Sequence, residues 1–135
     1  MSDRHDTVAL IEYKIEHAKI MRDDADFLMQ NGRLVSAVNR IYYTMFHLLE
    51  ALALRHGYHT SKHKQLIGWF NKTFVKEGII PPKYSKILTE AFENRSESDY
   101  GLFAHFTQDE VDEMYTEMED FFNTIENFIL SGDDI

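Results

Sequence analysis

Apolar residues recur every three or four positions along most of the chain, and no convincing strand alternation interrupts them. Ile11, Ile15, Ala18, Ala25 and Leu28 predict a first helix from about Thr7 to Gln30, stopped by Asn31-Gly32. A second runs from about Arg33 to Arg55 and ends at Gly57. A third, about Ser61 to Glu77, carries Leu66, Ile67, Phe70, Phe74 and Val75 and ends at Gly78. A fourth opens at Pro81-Pro82, where a missing amide donor costs little, and continues through Ile87, Leu88, Ala91 and Phe92. Ser96, Ser98 and Gly101 then weaken the pattern, so Arg95 is expected in a loop beside acidic and hydroxyl neighbours. Thr107 and Glu110 form a capping box that starts a fifth helix, striped with Val111, Met114, Met118, Phe121, Ile125 and Phe128. No repeat, Gly/Ser linker or low-complexity tract divides the chain. The expected architecture is all-α, an antiparallel up-and-down bundle of four to five helices, as one domain over residues 1–135.

The second helix breaks the simple apolar pattern. Val38, Ile41, Met45, Leu48 and Leu52 make one apolar row, and Val35, Tyr42, Phe46, Leu49 and Ala53 a second, so burial is expected on more than one side. Ser36, Asn39 with Arg40, Tyr43, His47 and Glu50 fall between them on a single polar stripe. A buried polar group without a partner costs on the order of 1–3 kcal/mol. The stripe must therefore face water, a hydrogen-bonded network, a ligand or a second subunit. One reading makes Arg40 and Glu50 surface groups, with Asn39 and His47 tying down neighbouring helices; the other makes the stripe a ligand seam.

Charge sharpens that choice. The net charge is −9, but residues 1–54 carry −2, residues 55–95 carry +5, and residues 96–135 carry −12 with no Lys or Arg at all. A basic middle segment, gathered on one face, could hold an anion despite the overall sign. The same charges could equally be solvated faces. The chain has no cysteine, which excludes disulfide and thiolate chemistry and favours a reducing compartment. No stretch approaches the roughly 18 apolar residues of a membrane span, and the N-terminus lacks a basic segment followed by an apolar run. A soluble, cytoplasmic protein without a membrane association is expected.

Other candidate chemistry is sparse. His56, His59 and His63 suggest a metal site, and His59 and His63 are four apart, but His59 should precede the helix that holds His63, and no nearby Asp, Glu or Cys supplies a third ligand, so no metal is expected. Gly-rich phosphate loops and nucleophile elbows are absent, and no cofactor is implied. Ser61-Lys62-His63-Lys64 opens a helix, where free amides and two lysines suit an anion; an ordinary cap with solvated lysines fits as well. Arg95, Asp99 and Tyr100 form a last cluster, readable as an ion pair at a helix end.

Taken in order, "SAVNRIYYTMFHLLEALAL", "SKHKQLIGWFNKTFVKEG" and "FENRSESDYG" resemble the HEPN domain family, in its small standalone prokaryotic branch, over about residues 8–130. The resemblance implies a helical bundle, usually a homodimer, with the arginine motif near the subunit interface. It also implies a metal-independent RNase or toxin, or a companion of a small nucleotidyltransferase. Catalytic members carry Arg, four to six residues, then His. Here Arg95 is followed after four residues by Tyr100, with Asp99 before it, and His105 lies too far along. Tyrosine titrates near pH 10 and is a poor acid or base at neutral pH.

Three functions follow as expectations. A nucleotide- or RNA-binding module of a toxin–antitoxin or nucleotidyltransferase-associated system would use Asn39, Arg40, Tyr43, Lys62, His63, Lys64 and Asp99. An endoribonuclease would use Arg95 on the phosphate with His47 or Tyr100 moving protons. A non-catalytic interaction subunit would dock a partner through the polar seam.

Overall fold

The computed structural model describes residues 2–100 and 105–131, without the side chains at positions 2, 3, 98 and 100. Helices α1 (Ser2–Gln30), α2 (Leu34–Arg55), α3 (His63–Phe70), α4 (Pro82–Tyr100) and α5 (Gln108–Ser131) follow in order, and α3 runs directly into a π-helical turn at Asn71–Val75. The described residues contain no strand, as the periodicity predicted.

The turns form where the sequence marks them. At the end of α1, Arg33 donates its amide to the Leu28 carbonyl at 2.8 Å and Gly32 donates to Met29 at 3.2 Å. That closure needs a left-handed residue, and Gly32 supplies it at φ 71°. The same closure ends α2: Tyr58 donates to Ala53 at 2.8 Å, with Gly57 at φ 74°. The capping box of α5 is reciprocal, with the Glu110 amide on Thr107 Oγ1 at 3.1 Å and the Thr107 amide on Glu110 Oε1 at 2.9 Å.

Helix α2 is the axis of the bundle. It lies along α1 over much of its length and also packs against α3, α4 and α5. This explains its two apolar rows: Ala37, Val38, Ile41, Tyr42, Met45, Phe46, Leu48, Leu49, Ala51, Leu52 and Ala53 are all buried. Val35, expected in the second row, is exposed, although Ala37 in the same first turn of α2 is buried, so only one side of that turn meets the core. Phe70, Phe121 and Phe122 fill the core from α3 and α5. The α1 row Ile11, Ile15, Ala18, Ala25 and Met29 is buried, and Arg22, in register with it, lays its guanidinium 4.4 Å from the Phe122 ring centroid.

Three boundaries differ from expectation. Helix α1 begins at Ser2 rather than near Thr7; residues 4–10 are all exposed, so no apolar period announces them. The third segment starts at His63, not Ser61, and at Asn71 it widens to a π turn, with Lys76 donating to the Asn71 carbonyl at 2.8 Å. Helix α4 continues to Tyr100 through the serine-rich stretch. Ser and Asp are weak helix formers, but Asp99 is tied both to Arg95 on its own helix and to Asn39 on α2. Tertiary contacts override propensity there.

Candidate functional site

The polar stripe of α2 faces the last turns of α4. Asn39 Nδ2 donates to Asp99 Oδ1 at 3.1 Å, and Asn39 Oδ1 accepts from Arg40 Nη1 at 2.7 Å. Asp99 Oδ2 stands 2.8 Å from Arg95 Nε, one turn back along α4. Arg95 Nη2 in turn donates to the Tyr43 hydroxyl at 2.8 Å. The Arg95 guanidinium also lies 5.3 Å from the Tyr43 ring centroid and 5.9 Å from that of Tyr42. An arginine held from two sides over two rings has little freedom left to lose on meeting an anion. Arg40 Nε is buried and takes no hydrogen bond among the described residues, an unsatisfied donor beside the same network.

Imidazoles continue the seam. His47 Nδ1 is 2.9 Å from Glu50 Oε1, which also accepts from Lys14 Nζ on α1 at 3.1 Å. Burial alone would raise the Glu50 carboxyl, but the hydrogen bonds from His47 and Lys14 outweigh it and hold the group below its ordinary range. The His17 ring meets His47 edge-on at 4.4 Å, and burial, then His47 and Lys14, push His17 below its ordinary 6.5. His63, at the start of α3, stacks on Phe46 at 4.0 Å and receives the Tyr42 hydroxyl on Nδ1 at 2.6 Å. Burial lowers the His63 pKa first and Arg95 second, while burial raises that of Tyr42. Both shifts suit a phenol donating to a neutral imidazole. Around this seam three fixed cations, Lys14, Arg40 and Arg95, face two carboxylates, Glu50 and Asp99. The balance favours a bound anion.

Of the residues singled out in sequence, Asn39, Arg40, Tyr43, Arg95 and Asp99 share one hydrogen-bonded chain, and His47 and His63 flank Tyr43 at ring-centroid distances of 6.0 and 5.9 Å. Arg95 is not in a loop: it sits within α4, and the helix is what spaces it one turn from Asp99. Tyr100 closes that helix, but its side chain lies outside the described residues. Lys62 and Lys64 are exposed on either side of His63, and among the described residues neither forms an ion pair with the seam carboxylates Glu50 and Asp99. His56, weighed as a metal ligand with His59 and His63, packs instead among Trp69, Phe74 and Phe128. Lys14, His17 and Tyr42 were missed as site residues. Lys14 and His17 are three apart and border the buried row of α1, a polar pair that could have been matched to His47 and Glu50; Tyr42 gave no such signal, since its ring reads as core.

An arginine on the last turns of one helix, set against a polar stripe on the central helix of an all-α bundle, defines a class of small helical domain. The sequence profile of the HEPN domain matches residues 11–128, and the chain belongs to that family. A UPF0332 protein of Thermotoga maritima is 39% identical over 120 residues, covering 89% of this chain and 91% of the relative. A candidate toxin of Methanocaldococcus jannaschii is 33% identical over 122 residues, 90% of this chain and 87% of that protein. A second UPF0332 protein, from Pyrococcus horikoshii, is 38% identical over 79 residues, 56% of each chain. Among the described residues no helix is long and apolar enough to cross a membrane.

Proposed function

We propose that this protein is the nucleotide- or RNA-binding module of a toxin-like system. The observation that carries the reading is Arg95, clamped by Asp99 and the Tyr43 hydroxyl with Arg40 linked to it through Asn39. Such a pair suits two phosphate oxygens, and the tyrosine rings beside them suit a base. The relatives named as candidate toxins support the toxin-like setting. Titrating a fluorescein-labelled 12-nucleotide single-stranded RNA by anisotropy tests it. Arg95→Ala and Arg40→Ala should each weaken binding by about tenfold or more, the loss of a charge-assisted hydrogen bond worth roughly 1.5–3 kcal/mol. The salt dependence of binding should become shallower in both. Undiminished affinity in both variants ends this reading.

One observation favours metal-independent endoribonuclease activity as a second reading. With the His47 proton held on Nδ1 by Glu50, Nε2 is left as the basic nitrogen, on a residue packed beside the tyrosine that Arg95 contacts. Total RNA incubated with the protein in EDTA should then be cleaved by the parent chain and not by His47→Ala. A parent chain no more active than buffer removes the idea.

The module acts, in this reading, as a homodimer joined along α1. Tyr13, Ile20 and Phe27 lie seven apart on that helix and are 59%, 51% and 67% exposed. Tyr13 also touches His17, whose ring meets His47, so a dimer there would border the polar seam.

A further inference from the structure

We infer that the groove between α2, α4 and α5 is a docking site for a basic amphipathic segment of a partner protein. The groove holds an open cavity of about 180 Å³. That is room for several waters, or for one long side chain. Its floor is apolar, built from Ile41 and Met45 of α2, Ile87 of α4 and Met114 of α5. Its lips are carboxylates, Glu90 on α4 with Glu113 and Glu117 on α5. Ile41 and Met45 each stand two residues from Tyr43, about 200° around the helix, so the groove opens on the side of α2 away from the polar seam.

Charge selects the occupant. Glu110, also at the groove, is committed to the Thr107 amide, but Glu90, Glu113 and Glu117 make no ion pair among the described residues. The chain has no Lys or Arg beyond Arg95, so α5 supplies no cation to them. Crowding shows in Glu117, whose carboxyl is raised first by burial and then by Glu113 and Glu90, with Lys86 offsetting part of it. A lysine or arginine matches this geometry in both halves: the aliphatic stem covers the floor and the charged head meets the lips. A helical segment repeating leucine and lysine at four-residue spacing would place several such groups along the groove.

The probe is a fluorescein-labelled 15-residue helical peptide of alanine, leucine and lysine, followed by anisotropy at low salt. Replacing Glu90, Glu113 and Glu117 by Gln together should weaken binding by about tenfold, the effect of losing some 1.4 kcal/mol. Met114→Trp, which fills the floor without altering charge, should weaken it as well. A control triple on α1, Glu12→Gln, Glu16→Gln and Asp24→Asn, removes the same charge from exposed positions and should leave affinity within about twofold. Arg95→Ala should leave it unchanged, which separates this site from the proposed RNA seam. Three results would overturn the inference. The control triple could weaken binding as much as the groove triple, which would mean charge alone. Spermidine could compete as well as the peptide at equal charge, which would mean a polyamine site. The groove triple could change the sedimentation mass, which would make the groove a contact between copies.

Discussion

Tyr42 and His63 illustrate how much a single bond constrains at the residue scale. The phenol is fully buried and donates to His63 Nδ1, and a protonated imidazole could not accept that bond. Folding thus lowers the His63 pKa below its ordinary 6.5, by burial first and by Arg95 second. His17 is lowered in the same direction. The unfolded chain therefore binds more protons than the folded one just below pH 6.5, and stability rises with pH across that window. It is complete above the unfolded value and falls as the solution is acidified towards the folded values. Glu50 adds a second loss only lower, as pH drops through its depressed carboxyl pKa beneath 4.5. Thermal melts should show a falling Tm between pH 7 and 5, and a His63→Phe chain should lose part of that slope. An unaltered slope in that variant would mean that His63 is not the group responsible.

At the scale of elements, what was legible depended on whether a signal was local. Asn31-Gly32, Gly57 and the Thr107–Glu110 box are local, and each ends or starts a helix where expected. The polar stripe of α2 was legible too, because a 3.6-residue period sorts side chains by face before any partner is known. Its partners were not. That Asn39 meets Asp99 sixty residues away, or that Glu50 meets Lys14, depends on packing between helices. The extension of α4 through Ser96–Asp99 was hidden for the same reason, since the contacts that hold it are tertiary. The π turn at Asn71–Val75 left no mark in the apolar spacing of Phe70 and Phe74, both of which are buried as predicted. The local signals also make a sharp prediction. A Cβ at Gly57 would meet nothing within 4 Å, so Gly57→Ala isolates the backbone cost of a left-handed residue. Denaturant titration should show a loss of about 1–2 kcal/mol with an unchanged m-value. A loss below a few tenths would mean that the turn relaxes without needing that conformation.

For the molecule as a whole, the question is how two copies of a chain with net charge −9 would associate. A two-fold axis through Ile20 of the proposed α1 interface would set Tyr13 against Phe27 of the second copy, each roughly 10 Å from the centre. The same axis opposes Glu16 to Asp24, each four residues from Ile20, so like charges flank the apolar contact. The attraction is then hydrophobic and the repulsion electrostatic, and only the second is screened by salt. Dimerisation should strengthen as salt rises, whereas RNA binding at the Arg95 seam should weaken, since that term is counterion release. Sedimentation equilibrium distinguishes them directly. Ile20→Glu, at a position already half exposed, should give a folded monomer with an unchanged circular dichroism spectrum. A variant that keeps the mass of two copies would place the interface elsewhere. A parent chain that stays monomeric at high salt would leave Tyr13, Ile20 and Phe27 without a second copy to cover them, and Arg95 would have to bind its anion from one subunit alone.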